Sequence, residues 1–262
     1  MTGDFPVQLL TGKHCFTTIE LYSRMRYDRN IPSHRITVRD IDIHYKCAGK
    51  GFPLILIHGG GNDWHEWYKN IPYLSEHFRV YAPDLPGYGL SQFPDFPVSP
   101  SWFAAILSGF MEALGIDSAH VIGHSMGGLA SLHLSLSYPD KVNRLVLIDS
   151  AGFGEIAKKA NRRLAVIRRI KRLAGKEKSL RYMDGTADEW YIIERMPELD
   201  VPTVIIWGER DSYFPLSIAE KAKNAIQGAQ LFVLPRCRHA PQRDDPDKFH
   251  DIVHRFLVEK EL

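Results

Sequence analysis

Residues 121–128 read Val-Ile-Gly-His-Ser-Met-Gly-Gly, and this stretch decides the fold. An apolar segment typical of a strand runs directly into Gly123–Gly127, which has the pattern G-x-S-x-G, and a helix-forming stretch over Leu129–Ser137 follows. The sequence therefore predicts a tight strand-to-helix turn at Ser125, flanked by glycines because the turning backbone leaves no room for larger residues. Such a turn lifts the serine hydroxyl clear of the sheet and points the unpaired N–H groups of a helix N-terminus towards it. A glycine-rich turn without chemistry is the alternative.

A serine hydroxyl becomes a useful nucleophile only with a base beside it and an acid that orients the base. Two later apolar segments, Val201–Trp207 and Gln230–Leu234, are typical of buried strands, and they lead into Asp211 and His239 respectively. Open α/β sheets build their sites at the edge where the carboxyl ends of the strands gather. The sequence therefore predicts that both side chains meet Ser125 at this edge.

A fourth strand end contributes a glycine-rich loop. The apolar segment Pro53–Ile57 is followed by His58-Gly59-Gly60-Gly61, a pattern whose backbone N–H groups stabilise the negative oxygen that forms when a serine attacks a carbonyl group. We expect this oxyanion hole to lie between the loop and the helix that follows Ser125. His58 is expected to hydrogen-bond within its own loop.

These motifs give the chain a resemblance to the α/β-hydrolase superfamily, in its serine-nucleophile branch of carboxylesterases and lipases. The resemblance spans roughly residues 34–257, and the segments that carry it are His58–Gly61, Asp84–Ser91, Gly123–Gly128, Trp207–Asp211 and His239. It implies Ser125 as nucleophile, His239 as base and Asp211 as the acid that orients the base. The implied oxyanion-hole donors are the N–H groups of Met126 and of either Gly60 or Gly61.

The order of elements and the length of 262 residues predict one α/β domain, and the resemblance implies that its fold is the α/β-hydrolase fold. We expect a mostly parallel sheet of eight strands with helices on both faces. The predicted core comprises residues 34–149 and 201–262, and an N-terminal arm over residues 1–33 precedes it. Residues 150–200 interrupt the alternation of strands and helices, and the resemblance implies that they form a short helical cap, or lid.

Apolar periodicity predicts the individual elements. The predicted strands are His34–Arg39, Ile41–Cys47, Pro53–Ile57, Arg79–Ala82, Ala119–Gly123, Asn143–Asp149, Val201–Trp207 and Gln230–Leu234. The predicted helices are Glu66–Phe78, Ser101–Leu114, Leu129–Ser137, Pro215–Ile226 and Pro246–Val258. The first two strands flank Asp40 and are expected to pair antiparallel.

The predicted cap carries an unusual charge. Residues 158–181 hold eleven Lys or Arg and one acid, a net charge of +10, whereas the whole chain is at +2 and the remaining 238 residues therefore carry −8. One helical face of this region is apolar, with Ile156, Ala160, Leu164, Ile167 and Ile170 or Ala174. The preferred interpretation is a solvated lid whose apolar stripe closes over the pocket. Weak attraction to anionic lipid or to an anionic substrate is the alternative.

Composition argues against several other classes of protein. The chain is 44% hydrophobic and 24% charged, as in ordinary globular proteins, and its apolar runs are too short to span a membrane. Its three cysteines lack a C-x-x-C pattern, and its N-terminus lacks a signal-peptide pattern, so we expect a cytoplasmic location. The basic segment has no interleaved aromatic residues, so no nucleic-acid partner is expected. No metal or other cofactor is predicted, and the sequence does not define the oligomeric state.

Several further residues near the predicted site need an interpretation. Asp149 also follows a strand and is the alternative to Asp211, which is preferred because Trp207–Asp211 matches the usual acid turn of the resemblance. Asp84 is expected to fix a loop, and His124 is expected to pack against the flank of the serine turn.

Several other aromatic, cysteine and histidine residues are candidates for a role in the site. Trp64 and His65 follow the glycine-rich loop and could line the pocket, with exposure on a helix surface as the alternative. Cys237 lies two residues before His239 but has no turn of its own, so it is not expected to be a nucleophile. Three histidines on predicted helices have no partner at a metal-ligand spacing: His133, His250 and His254.

A serine at the turn favours acyl chemistry, because superfamily members that open epoxides or displace halide use aspartate there. Hydrolysis of a small-molecule carboxylic ester through an acyl-enzyme intermediate is the first interpretation. Hydrolysis of a carbon–carbon bond in a dienoic diketone acid is the second, although the loop over Gly60–Asp63 departs from the usual pattern of that branch. A non-catalytic receptor for a small ligand is the third, and an intact triad disfavours it.

Overall fold

The computed structural model describes residues 31–157, 162, 166 and 187–259. Its frame is an eight-stranded sheet with the order β1-β2-β4-β3-β5-β6-β7-β8. The strands are β1 (Ser33–Val38), β2 (Ile41–Ala48), β3 (Pro53–Ile57), β4 (Arg79–Pro83), β5 (Ala119–His124), β6 (Val142–Ile148), β7 (Thr203–Gly208) and β8 (Gln230–Leu234). β2 pairs antiparallel with β1 and β4, and the other neighbours are parallel. The predicted α/β-hydrolase architecture is confirmed.

Helices connect the parallel strands. The α-helices among the described residues are α1 (Ile71–Leu74), α2 (Pro100–Ala113), α3 (Met126–Ser137), α4 (Ala187–Trp190), α5 (Leu216–Ala225), α6 (Pro241–Asp244) and α7 (Pro246–His254). Single 3₁₀ turns lie at Trp64–Trp67, Pro139–Lys141 and Ile193–Glu198, and a π-helical turn at Arg255–Glu259 follows α7.

The central strands of the sheet are buried on both faces. Side chains of a strand alternate between the two faces, so the consecutive residues Leu54, Ile55, Leu56 and Ile57 divide between two hydrophobic clusters, and all four are 0% exposed. Ile55 and Ile57 pack with residues of α2, α3 and α5. Leu54 and Leu56 pack with residues of α1 and α7 and with the tryptophans of the first 3₁₀ turn. The near-continuous apolar strands of the sequence thus reflect a sheet enclosed by helices.

The antiparallel pair at the sheet edge is closed by a two-residue turn. Arg39 and Asp40 both have positive φ angles, 48° and 64°, as the twist of a tight hairpin requires. The register pairs Val38 with Ile41, and the predicted pairing around Asp40 is therefore confirmed.

The prediction of one helix over Glu66–Phe78 is wrong. The chain instead forms the 3₁₀ turn Trp64–Trp67 and then the separate short helix α1. Pro72 explains the interruption, because proline is tolerated in the first turn of a helix but not in its interior. The break turns the side chain of Glu66 into the protein, where it is 1% exposed.

The other helices agree with the sequence prediction to within a few residues at their N-terminal ends. α2 begins at Pro100 behind the cap residue Ser99, whose hydroxyl accepts a hydrogen bond from the N–H of Trp102, and the chain leaves the helix at Gly115 with a φ of 66°. α7 ends at His254 and not at the predicted Val258. α6 is an additional helix that the sequence pattern did not indicate.

Parts of the predicted arm and cap lie outside the described residues. These are residues 1–30 and, apart from positions 162 and 166, residues 158–186, which include the basic segment. Within the described part, Glu189 on α4 contacts the Ser101 hydroxyl through its side chain, and its carbonyl oxygen lies 2.9 Å from His133 Nε2. The chain before β7 is therefore tied to α2 and α3. No helix of the described residues has the length and apolar character needed to cross a membrane.

Candidate active site

The turn at Ser125 has the predicted geometry. β5 ends at His124, α3 begins at Met126, and Ser125 between them adopts φ 53° and ψ −117°. A positive φ is rare for a residue with a side chain and costs on the order of 1–3 kcal/mol, so it persists only where the surroundings impose it. A side chain at Gly127 would overlap the backbone carbonyls of Ile57 and its successor, which explains the glycine there.

Ser125, His239 and Asp211 form a hydrogen-bonded chain at the carboxyl edge of the sheet. Ser125 Oγ lies 3.0 Å from His239 Nε2, and His239 Nδ1 lies 2.8 Å from Asp211 Oδ2. The carboxylate can only accept, so Nδ1 carries the proton and Nε2 is free to accept the serine proton. Both distances are within hydrogen-bond range. The arrangement can deprotonate a serine as it attacks a carbonyl group.

Two carboxyl groups lie near His239, and the structure distinguishes them. Asp149 Oδ2 is 4.0 Å from His239 Nδ1, beyond hydrogen-bond distance, and its Oδ1 accepts the N–H of Gly208 at 2.8 Å. Burial and the nearby charge of Asp211 raise the pKa of Asp149 well above its ordinary value. The shorter contact to His239 Nδ1, 2.8 Å from Asp211 against 4.0 Å from Asp149, favours Asp211 as the orienting acid.

His239 lies in a largely apolar setting. The rings of Tyr213 and Phe214 lie 4.5 Å and 5.7 Å from its ring, and its side chain is 19% exposed. Burial lowers the pKa of His239, although the hydrogen bond to Asp211 opposes this shift. A neutral imidazole at neutral pH is the form that accepts a proton from serine.

The predicted oxyanion-hole residues lie side by side. Met126 is the first residue of α3, where an N–H group has no partner within the helix. A Cβ placed on Gly60 would lie 3.5 Å from Met126 Sδ and 4.0 Å from the hydroxyl of Tyr88, so the loop passes directly beside the helix start. Gly61 has a φ of 82° and open space around it. The role of these N–H groups as oxyanion donors stays a prediction.

Two residues fix the loops around this edge, as the sequence suggested. His58 Nδ1 lies 2.8 Å from the carbonyl oxygen of Gly59, and its Nε2 accepts the N–H of Leu85 at 2.9 Å. The buried carboxylate of Asp84 accepts the N–H groups of Trp64 and Leu90. The loop-fixing roles expected for His58 and Asp84 are confirmed.

Trp64 and His65 stack on each other with their ring centroids 3.9 Å apart. Trp64 is 2% exposed and packs in the hydrophobic cluster beneath the sheet, so the alternative of helix-surface exposure is wrong for it. His65 is half-buried and held by the carboxylate of Asp63. Their role as pocket-lining residues stays a prediction.

The described residues contain one group of side chains with metal-ligand geometry: His124, Asp149 and His239, whose ligand atoms lie within 4.8 Å of one another. Both nitrogens of His239 already bond Ser125 and Asp211, and a metal would have to displace those bonds. We therefore assign the group to acid–base chemistry.

Cys237 does not compete with Ser125 as a nucleophile. It is 3% exposed, and burial together with nearby carboxylates raises the pKa of its thiol to about 11. Only the thiolate reacts, so this cysteine is inert at neutral pH.

Sequence reasoning missed three residues that border the site: Glu66, Tyr88 and Gln242. It also described His124 as a packing residue, which is incomplete, because the His124 ring contacts the carboxylate of Glu66 and the carbonyl oxygen of His239. A signal was present, since Glu66 is an acid enclosed by Trp64-His65 and Trp67, where a charge needs a buried partner.

Comparison with known proteins agrees with the fold. The sequence profile of the alpha/beta hydrolase fold family matches residues 53–173. The chain is 28% identical over 82% of its length to a 2-hydroxy-6-oxo-6-phenylhexa-2,4-dienoate hydrolase of Burkholderia cepacia, of which it covers 91%. It is 29% identical over 81% of its length to a 2-hydroxymuconate semialdehyde hydrolase of a Pseudomonas strain, of which it covers 89%.

Solved structures show the same fold. A meta-cleavage product hydrolase from Pseudomonas fluorescens superposes with a TM-score of 0.76 at 29% identity, covering 89% of this chain and 100% of that one. A carboxylesterase from Bacillus subtilis also superposes with a TM-score of 0.76, covering 91% and 98% of the two chains, but at 21% identity. At that identity the second likeness concerns the fold alone.

Proposed function

The chain belongs to the α/β-hydrolase fold superfamily, and on that basis we propose that it hydrolyses a carbon–carbon bond beside the ketone of a 2-hydroxy-6-oxo-dienoic acid. One observation carries the proposal. The Ser125–His239–Asp211 geometry occurs in a chain that is similar over 82% of its length to a relative named for that reaction. The ester first expected from the sequence becomes the second candidate substrate.

The first half of the reaction uses the triad. Ser125 Oγ attacks the carbonyl carbon at position 6 while His239 Nε2 takes the hydroxyl proton, and Asp211 stabilises the imidazolium that results. Backbone N–H groups at Met126 and Gly60 would receive the developing oxyanion. The tetrahedral intermediate then collapses and expels one substituent of the former ketone, which leaves an acyl-enzyme.

The expelled group separates the two candidate reactions. An ester expels an alkoxide, whereas a ketone must expel carbon, which requires an electron sink. A 2-hydroxy-6-oxo-dienoate has one, because moving the 2-hydroxyl proton to carbon 5 gives a ketone at carbon 2. When the bond between carbons 5 and 6 breaks, its electron pair delocalises onto that ketone, and His239 returns a proton to the resulting dienolate. Water then hydrolyses the acyl-enzyme and regenerates Ser125.

The unusual loop sequence over Gly60–Asp63 is compatible with this proposal. Gly60 and Gly61, the candidate donors, are present. The Asn62 side chain donates to Glu66 at 3.0 Å, and the Asp63 carboxylate accepts the N–H of His65 at 2.8 Å. Neither of these hydrogen bonds involves a member of the triad.

A direct comparison of substrates tests the proposal. With 2-hydroxy-6-oxo-6-phenylhexa-2,4-dienoate, we expect loss of the conjugated chromophore and release of benzoate, with kcat/KM at least about tenfold above that for 4-nitrophenyl esters of graded chain length, equivalent to about 1.4 kcal/mol of transition-state stabilisation. Ser125→Ala is the control for both substrates.

The alternatives give different results in the same experiment. Turnover of esters with no loss of the dienoate chromophore would contradict the proposal and identify an esterase. A receptor of the same fold would turn over neither substrate and would give no burst of 4-nitrophenol.

The sequence of residues 158–181 carries a net positive charge, which would attract an anionic substrate, and this supports the proposal. We expect Arg162, Arg163, Arg168 and Arg169, all changed to Gln, to raise KM for the dienoate at low salt. The effect should shrink with added salt, because the Debye length falls from about 30 Å at 0.01 M to about 8 Å at 0.15 M.

Steady-state kinetics at the two salt concentrations check this prediction, with a small neutral ester as control. Unchanged KM for the dienoate would leave the basic segment without a role in substrate attraction. Co-sedimentation of both proteins with anionic vesicles separates attraction to substrate from attraction to lipid.

A further inference from the structure

A buried pair of ionisable side chains lies directly behind the candidate triad. His124 precedes Ser125 and is 2% exposed, and Glu66 lies in the 3₁₀ turn after the glycine-rich loop and is 1% exposed. His124 Nδ1 and Glu66 Oε1 form an ion pair. On the other side of the ring, His124 Nε2 lies 2.6 Å from the carbonyl oxygen of His239. Both ring nitrogens of His124 therefore face oxygen atoms.

The Glu66 carboxylate is surrounded by donors. Its Oε2 accepts the backbone N–H of Gly59 at 2.9 Å and the side-chain amide of Asn62 at 3.0 Å, and its Oε1 accepts the amide of Gln242 at 2.8 Å. Burial by itself would raise the pKa of Glu66, but the charge and hydrogen bond of His124 outweigh it and lower that pKa to about 2. Glu66 is therefore ionised at neutral pH.

The protonation of His124 follows from its neighbours. A carboxylate and a backbone carbonyl can only accept hydrogen bonds, so a ring nitrogen without a proton would turn its lone pair towards theirs, whereas an N–H on each nitrogen makes both contacts favourable. A neutral imidazole has one N–H, whereas the imidazolium has two. The geometry thus calls for a doubly protonated His124, which also neutralises the buried charge of Glu66.

We propose that His124, as an imidazolium paired with Glu66, is a positioning residue that aligns three parts of the site and sets the pH range in which His239 is a base. It joins the serine turn directly to the backbone of His239 and, through Glu66, to Gly59. A Cβ at Gly59 would lie 2.8 Å from His124 Nδ1, so glycine permits the close approach.

The pair also acts on His239 through its charge. The two histidine rings lie 4.9 Å apart. Burial is the main cause that lowers the pKa of His239. The hydrogen bond and charge of Asp211 raise it, the charge of His124 lowers it and that of Glu66 raises it. Asp149 also faces His239, at 4.0 Å, and burial and the charge of Asp211 raise its pKa. A positive charge beside the ring thus keeps His239 unprotonated at lower pH than Asp211 alone would allow.

The other charged group near the pair is Arg243, which lies close enough to Glu66 to lower the pKa of that carboxyl further. Arginine stays protonated over the whole working range. We attribute the pH dependence to His239, whose Nε2 must be unprotonated to accept the proton of Ser125.

The experiment measures the rate at which a fluorophosphonate probe labels Ser125 between pH 5.5 and 9, by intact mass. This readout needs the triad but not the natural substrate, so the inference rests on the triad of the proposed function and not on the bond cleaved. Loss of the cation raises the pKa of His239, so His124→Gln should increase the ratio of rates at pH 8 and pH 6 several-fold. Adding Glu66→Gln removes the opposing charge and should bring this ratio back towards the wild-type value.

A purely structural role predicts that the double variant departs further from wild type than His124→Gln does, because the double variant loses more hydrogen bonds. The matched control is His44→Gln. His44 Nδ1 lies 2.8 Å from Asp84 Oδ2 in an equally buried pair that does not contact His239. This control should lower stability but leave the ratio of rates unchanged. An unchanged ratio in His124→Gln would overturn the proposal.

Nitrogen-15 spectra of histidine-labelled wild-type protein at pH 8 test the protonation state without any substitution. The His124 ring, assigned through its contacts with the His239 ring, should show two protonated nitrogens. A neutral tautomer would overturn the proposal even if His124→Gln failed to fold.

Discussion

Replacing Ser125 by alanine should lower kcat by on the order of 10⁶ on whichever substrate the protein turns over, the loss seen when the nucleophile of a comparable triad is removed. Without the hydroxyl, His239 has no proton to accept and no covalent intermediate forms. The variant should also lose labelling by fluorophosphonate and sulfonyl fluoride probes. Relief of the positive φ at this position is not expected, since alanine meets the same steric restriction as serine.

Intact-mass analysis checks this result, because wild-type protein should carry a single adduct and the Ser125→Ala variant none. The matched control is Ser131→Ala, which removes a buried hydroxyl that donates to the carbonyl of Gly127 within the same helix. That variant should still be labelled. An adduct that persists in Ser125→Ala would remove Ser125 from the mechanism.

The triad could be predicted from the sequence because each member lies shortly after the end of a strand: Ser125 follows β5 directly, and Asp211 and His239 lie three and five residues beyond β7 and β8. The end of a strand in a parallel sheet is fixed in space by its neighbours, so Ser125, Asp211 and His239 reach one edge whatever the loops between them do. The choice between Asp211 and Asp149 depended instead on a motif. The structure supplies the physical reason, a difference between 2.8 Å and 4.0 Å to the same nitrogen.

The polar contacts behind the site, made by Glu66, Gln242 and His124, could not be predicted in the same way. Glu66 and Gln242 are 176 residues apart, and their contact depends on the break near Pro72 and on the unpredicted helix α6. Periodicity carries no information about such polar contacts, because they follow from the exact path of two irregular segments. His124 was visible in the serine motif, but its partners were not.

A sequence pattern reveals still less about which bond is cleaved. Ester hydrolysis and the cleavage of a diketone acid begin with the same attack on a carbonyl group by the same serine. They differ in the group that leaves, and this difference depends on how the pocket holds the rest of the substrate. Similarity to relatives at 28% and 29% identity is the reason why cleavage of a diketone acid is proposed ahead of ester hydrolysis. The triad alone is compatible with either.

Replacing Asp211 by asparagine should leave the fold intact and lower kcat by on the order of 10⁴, as for the equivalent change in serine-protease triads. Asp211 Oδ2 accepts the proton on His239 Nδ1, and its Oδ1 accepts the N–H of Tyr213 at 2.7 Å. An amide can keep the second bond through its oxygen, but it then presents an N–H₂ group to His239. The imidazole would respond by placing its proton on Nε2, where it can no longer accept the proton of Ser125.

The matched variant is Asp149→Asn, in which an equally buried carboxyl group on the neighbouring strand end is changed in the same way. Because Asp149 accepts the N–H of Gly208 at Oδ1 and lies 4.0 Å from His239 Nδ1, an amide can keep its hydrogen bond, and we expect a small effect on rate. Steady-state kinetics with both variants, together with urea unfolding to confirm that stability is retained, measure the contrast. A severe loss of kcat in Asp149→Asn, with kcat nearly unchanged in Asp211→Asn, would show that Asp149 is the orienting acid. The 2.8 Å contact of Asp211 would then be a resting arrangement that changes when substrate binds.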